Sequence, residues 1–155
     1  MTSIAAASPQ VAARQGTWVA RLEPWLSLGY SAAGLARFLR RGATSGGVLV
    51  ATAGARGRVV GILALQEGVL LGNFVSLLAV RSDAGGAGIG RALVAAAEAR
   101  TRPARRWLFV SADADNAAAL GFYRKLGFRR VGRLPDLVRE GRLEILLRKP
   151  VAPAP

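Results

Sequence analysis

The feature that most constrains this chain is a glycine run set between an apolar strand and an amphipathic helix. Leu77-Leu78-Ala79-Val80 reads as a strand; Gly85-Gly86-Ala87-Gly88-Ile89-Gly90-Arg91 follows, and Ala92-Leu93 carries a helix onward. A strand feeding a glycine turn and then a helix start aims several bare backbone N–H groups at one spot. With the helix dipole behind them, those donors suit a phosphate. Glycine lets a bulky anion approach the backbone closely and supplies φ > 0 where the turn needs it. The question is which phosphate compound sits there.

Spacing separates three anion loops. A nucleotide-triphosphate loop needs Gly, four residues, Gly, Lys, then Ser or Thr. Gly85 and Gly90 have that spacing, but Arg91 and Ala92 stand where the lysine and the metal-binding hydroxyl belong. A dinucleotide fingerprint needs G-x-G-x-x-G opening the first βαβ unit. Neither Gly86-x-Gly88 nor Gly88-x-Gly90 has its third glycine in place, and the run lies past mid-chain. The third option is the pyrophosphate loop of acyl-CoA enzymes. The strand, loop and helix resemble the first signature of the GNAT superfamily of acyl-CoA-dependent N-acyltransferases, roughly L-x-V-x-P-x-x-[RQ]-x-x-G-x-[GA]. Leu78, Val80, Gly88 and Gly90 match; Ser82 replaces the usual proline and Gly85 the usual Arg or Gln. The second departure removes a side-chain contact to the pyrophosphate and leaves the backbone donors.

A glycine turn alone is equally a surface loop in a chain with 19 glycines. A second segment makes the resemblance more specific. Asn116 to Phe128 looks like the family's N-x-x-A-x-x-x-Y-x-x-x-G-F, matched at Asn116, Ala119, Tyr123, Gly127 and Phe128. Asp115 or Asn116 is a natural N-cap, Leu120, Tyr123 and Leu126 form an apolar stripe, and Gly127 ends the helix. Read alone, this is an ordinary buried helix. Its place after the glycine helix, with a strand at Trp107–Val110 between, gives it weight.

Composition bounds the alternatives. The 155 residues suit one domain with a sizeable core. No apolar run nears the ~18–20 residues of a membrane span, and residues 1–14 lack the pattern of a secretory signal. With neither Cys nor His, a disulfide framework, a thiol nucleophile, the usual zinc sites and Ser-His or Cys-His triads are excluded. No metal is expected. Net charge is +13, carried almost wholly by arginines set singly and in pairs. That pattern reads as composition bias or attraction to an acidic cofactor rather than specific nucleic-acid recognition.

A coarse pass gives mixed α/β order. Residues 1–14 read as a flexible leader, 15–149 as one domain, and 150–155 as a proline-rich tail. Trp25–Leu28 and Ala32–Arg40 read as helices; Gly46–Ala53, Arg58–Gln66 and Phe74–Arg81 as strands; Gly88–Arg102 as the long helix. Trp107–Ser111 is a strand, Asn116–Leu126 a helix, and Arg129–Arg133 with Arg142–Arg148 a closing strand pair. The resemblance implies a GNAT fold of the α/β (α+β) class. That is a mixed sheet of about six to seven strands splayed between the fourth and fifth, with about four flanking helices.

The resemblance also implies a chemistry: direct attack of a primary amine on acetyl-CoA. Gly85, Gly86, Ala87, Gly88, Ile89, Gly90 and Arg91 would hold the pyrophosphate. The backbone of Leu78, Ala79 and Val80 would carry the pantetheine arm, with an N–H near Val80 for the oxyanion. Asn116 would touch the pantetheine arm as well as cap its helix. Tyr123 takes the family's general-acid position; a tyrosine that only packs is the plainer reading. Many relatives place a base on the strand before the loop, where Phe74-Val75-Ser76-Leu77-Leu78 has no acid. Glu67, read as part of the preceding turn, is the first choice for a base, Asp113 the second; each reads first as a solvated loop acid, and a water chain or an acceptor arriving partly deprotonated would need neither. Trp18 and Trp25 are candidates for the acceptor pocket or for the core.

The expected protein is a cytoplasmic bacterial N-acetyltransferase, monomer or homodimer, whose partners are acetyl-CoA and an amine acceptor, with no membrane and no specific nucleic acid. The alternatives are a GNAT-fold module that binds acyl-CoA as a sensor, and a basic nucleic-acid-binding domain with an incidental glycine loop.

Overall fold

A computed structural model of the chain describes residues Met1–Val151. Its strands are β1 (Thr2–Ala6), β2 (Val48–Ala53), β3 (Arg58–Val69), β4 (Gly72–Val80), β5 (Trp107–Asp113), β6 (Arg129–Pro135) and β7 (Leu143–Pro150). They lie in one sheet, ordered β1-β2-β3-β4-β5-β7-β6. The helices are α1 (Pro9–Arg14), α2 (Gly16–Val19), α3 (Trp25–Leu28), α4 (Ala32–Thr44), α5 (Ile89–Thr101) and α6 (Ala117–Lys125). A strand followed by a helix and a second strand returns parallel, and β4–α5–β5 does so. The β4–β5 ladder holds four pairs, from Gly72↔Trp107 to Val75↔Val110. Both strands run on past the last pair, β4 to Val80 and β5 to Asp113.

The chain divides into two compact units, residues 1–66 with 77–97, and residues 67–76 with the chain from Glu98 onward. In the first unit, Val48, Val50, Ile62, Ala64, Leu77 and Ala79 bury one face of β2, β3 and β4 against Trp18, Val19, Leu35 and Leu39. Alternation sets this, since residues two apart on a strand share a face. Gly16 allows α2 to meet α4 closely: a Cβ there would stand 2.7 Å from the Ala32 carbonyl oxygen.

In the second unit, β5 pairs with β7 and β7 with β6, all antiparallel. Asn73 on β4, buried, donates to Thr101 Oγ1 at the end of α5 (3.1 Å) and accepts from the Gly68 N–H (3.3 Å). Lys149 on β7 reaches Glu98 at 2.6 Å, a half-buried ion pair.

The amino-terminal stretch departs from the leader that the sequence suggests. Residues 2–6 pair with β2, Thr2↔Ala53 through Ala6↔Leu49, and Ser3 Oγ meets Thr52 Oγ1 at 2.9 Å. An edge strand held by backbone hydrogen bonds needs no alternating apolar pattern of its own, and Thr2–Ala6 has none. Ser8 then caps α1, accepting from the Val11 N–H, with Pro9 opening the helix. Gly16–Val19 adds a short helix the sequence reading lacked. The glycine helix starts at Ile89 and β5 runs two residues longer than expected. Apart from Val151, which is buried, and Pro150, which closes β7, the proline-rich tail lies outside the described residues.

Candidate functional site

The glycine run lies in the first unit and takes the form its composition requires. A single 3₁₀ turn, Ser82–Ala84, follows β4; Gly85 is extended, with φ −64° and ψ 152°. Gly86 (φ 80°) and Gly88 (φ 73°) are left-handed on either side of Ala87. An added Cβ at Gly86 or Gly88 would meet nothing within 4 Å, so backbone conformation rather than crowding requires glycine there. Left-handed residues in such a turn are what an anion-binding concavity of backbone N–H groups is built from. The first helical bond of α5 runs from the Ala92 N–H to the Gly88 carbonyl. The N–H groups of Ile89, Gly90 and Arg91 therefore begin the helix without intrahelical acceptors. Ile89 is buried and Arg91 exposed.

The approach to this loop is fixed from β3. Arg81 follows β4, and its backbone N–H donates to Val60 O and its Nε to Val59 O, both at 2.8 Å. Its guanidinium stacks over the Trp18 ring, 4.6 Å from the centroid. Burial, with Arg58 nearby, lowers its pKa from the usual arginine value, against a smaller pull from Asp83. Trp18 donates from Nε1 to Gln15 Oε1 at 2.8 Å and is 8% exposed. It is a core residue that supports Arg81, not a lining of an open pocket. Trp25 is half-buried and packs on the same core. Along β4, Leu77 and Ala79 face that core while Leu78 and Val80 are half-buried on the opposite face.

The second signature lies in the other unit. Asn116 caps α6, its Oδ1 accepting from the Ala119 N–H at 3.1 Å. Tyr123 is 7% exposed, its ring edge-on to Phe122 and to Phe128. Burial pushes its phenol well above the usual tyrosine value. Gly127, at φ 97°, ends the helix as expected.

The acids divide differently from the expectation. Glu67 stands on β3 rather than in a turn, and is exposed. Asp113 is committed: Oδ1 accepts from the Asp115 N–H at 2.8 Å and Oδ2 holds Arg142 at 2.8 Å. The sequence reading missed Glu144. It lies on β7 opposite Asp113, is 8% exposed, and its carboxylate accepts a hydrogen bond from Ser111. The available signal was a lone acid set between Leu143 and the apolar run Ile145-Leu146-Leu147. The structure holds Glu144, Ser111 and Asp113 together in one unit, and Tyr123 and Asn116 belong to that unit too. The glycine loop and Leu78–Val80 belong to the other.

With this geometry in hand, comparison places the chain. The family model for the acetyltransferase (GNAT) domain matches residues 44–130, more than half its length. The chain belongs to the GNAT acetyltransferase family. Solved structures with the same fold include a GNAT-family acetyltransferase from Bacillus cereus (TM-score 0.78, 16% identity, 97% of each chain covered). The ribosomal-protein-S18-alanine N-acetyltransferase of Escherichia coli is similar at TM-score 0.73 and 21% identity, over 100% of this chain and 97% of that one. An aminoglycoside 6′-N-acetyltransferase complexed with coenzyme A is similar at TM-score 0.76 and 16% identity, over 99% of each. At these identities the likeness is one of fold. No curated protein sequence matches the chain.

Proposed function

We propose that this protein is an N-acetyltransferase that moves an acetyl group from acetyl-CoA directly to a primary amine. The observation that carries the reading is the left-handed pair Gly86 and Gly88 at the start of α5, a cradle of N–H donors in a chain of this family. The pyrophosphate of acetyl-CoA takes the donors of residues 85–91, and the pantetheine arm runs along the backbone of Leu78, Ala79 and Val80. A coenzyme A complex of a protein with the same fold supports that ligand. Proteins of the same fold include an aminoglycoside 6′-N-acetyltransferase and a ribosomal-protein-S18-alanine N-acetyltransferase, and the acceptor class we propose here is a primary amine.

In the reaction the amine attacks the thioester carbon, a backbone N–H near Val80 stabilises the oxyanion, and the C–S bond breaks. Tyr123 gives its proton to the departing sulfur. With its pKa raised by burial, the phenol stays protonated throughout the neutral range. Asn116 spends its carbonyl oxygen on the cap and keeps its NH₂ for the pantetheine arm.

A non-catalytic acyl-CoA sensor is the second reading, favoured by two sequence facts: no acid on β4 before the loop, and Gly85 in place of Arg or Gln. A thermal-shift titration with acetyl-CoA, followed by an amine panel monitored by CoA release, separates the two. Saturable stabilisation with turnover on at least one amine supports the enzyme. Stabilisation without turnover on any amine supports the sensor, and no stabilisation rejects both.

A further inference from the structure

Among the described residues, Glu144 is the one carboxylate that is buried. Its surroundings differ from those of every acid near it. Asp113 and Asp115 both face Arg142, at 2.8 and 3.7 Å. Glu144 instead accepts from a neutral hydroxyl, that of Ser111, while Asp113 repels its charge and Arg142 offsets part of that. On β6 its register partner is the uncharged Leu134. Burial is the largest influence, and the carboxyl holds its proton more tightly than an ordinary glutamate.

Ser111 sits at a particular place. The β4–β5 ladder ends at Val110, so Ser111 is the first β5 residue beyond it. The register Asp113↔Glu144 and Ser111↔Leu146 puts Ser111, Asp113, Glu144 and Leu146 on one face of β5 and β7. Ser111 and Leu146 are half-buried, so this face is not sealed.

We propose that Ser111 and Glu144 form the proton-accepting pair for the amine, an inference that rests on the transferase reading above. The ammonium nitrogen meets Ser111 Oγ. A proton passes from nitrogen to Oγ as the Oγ proton passes to the Glu144 carboxylate, and the free amine forms the C–N bond. The C–S bond breaks and the sulfur takes the Tyr123 proton. The second proton lost by nitrogen goes to water, Glu144 returns its proton to solvent, and solvent restores the phenol. The net release is one proton, one amide and one thiol. A carboxylate with raised proton affinity is matched to an ammonium better than a salt-bridged one.

The test compares wild type, Glu144→Gln, Ser111→Ala and the double variant, with an amine found in the panel. Acetyl-CoA binding by calorimetry is expected to stay within about twofold in all four. Glu144→Gln is expected to lower kcat by about 10²-fold and to remove the acidic limb of its pH profile. The double variant should be no worse than the poorer single one, since the two act as a unit. If Glu144→Gln lowers the folded fraction, Glu144→Asp and Ser111→Ala carry the comparison. A wild-type protein that turns over while Glu144→Gln keeps kcat and the acidic limb overturns the pair alone. So does an acidic limb that disappears in Glu67→Gln instead. A wild-type protein with neither binding nor turnover overturns the transferase reading and the pair with it.

Discussion

Gly61 on β3 lies directly beneath Ile89 of α5: a Cβ added to Gly61 would stand 2.7 Å from Ile89 Cγ2 and 2.9 Å from Leu93 Cδ1. Contact that close lets the first turn of α5 sit low on the sheet, and that turn supplies the donors of the glycine loop. Ile89 is β-branched and buried, so it has little room to turn aside. Gly61→Ala is expected to cost about 1–3 kcal/mol through overpacking. It should also weaken acetyl-CoA binding by lifting the helix start. Denaturant unfolding and calorimetry check the two effects together.

Gly86 and Gly88 give a cleaner variant of the same site. Both are left-handed and both have open space around them. Ala at either position meets no neighbour and pays only for its backbone, about 1–2 kcal/mol. The relief available to it is to leave the left-handed region, which turns N–H groups away from the anion. Acetyl-CoA affinity is expected to fall by tenfold or more while the far-ultraviolet circular dichroism stays that of the wild type.

Tyr123→Phe keeps the ring that packs on Phe122 and Phe128 and removes only the hydroxyl. Turnover at neutral pH is expected to fall by about 10²-fold, with acetyl-CoA binding unchanged. The sign of the pH dependence follows from burial. The acid form is needed, the phenol's pKa is raised, and so wild-type activity should show no alkaline loss in the range where an ordinary tyrosine ionises. Unchanged turnover in the variant would remove Tyr123 from the mechanism.

Glu144 also leaves a mark on stability. Its carboxyl binds a proton more tightly folded than unfolded. Between the ordinary glutamate pKa and that raised value the folded state holds more protons, so this group's contribution to stability falls as pH rises through the window. Glu144→Gln, which cannot ionise, should therefore gain on the wild type as pH rises from about 4. Paired melting curves across pH 4–8 measure it; a difference that stays flat with pH contradicts the raised value.

Much of the fold was legible because its elements carry local signals. The 3.6-residue stripe of α6 and the glycine punctuation of α5 mark those helices, and apolar runs mark β2, β3 and β5. The amino-terminal strand was not legible, because Thr2–Ala6 owes its conformation to β2 and has no pattern to read. Of the site, the loop and the Asn116 cap follow from chain-local geometry and could be placed by number. Trp18 and Glu144 could not. Trp18 belongs to the core because Arg81 stacks on it, and Glu144 is enclosed because β7 pairs with β5. Both depend on contacts between residues far apart in sequence or across a strand pair, which no window of the sequence contains.

The most direct measurement is a calorimetric titration of the wild-type protein with acetyl-CoA, repeated on Gly88→Ala. The expected result is one saturable site on the wild type, weakened at least tenfold in the variant. Heats that never saturate, or a variant that binds as the wild type does, would contradict an anion cradle at residues 85–91.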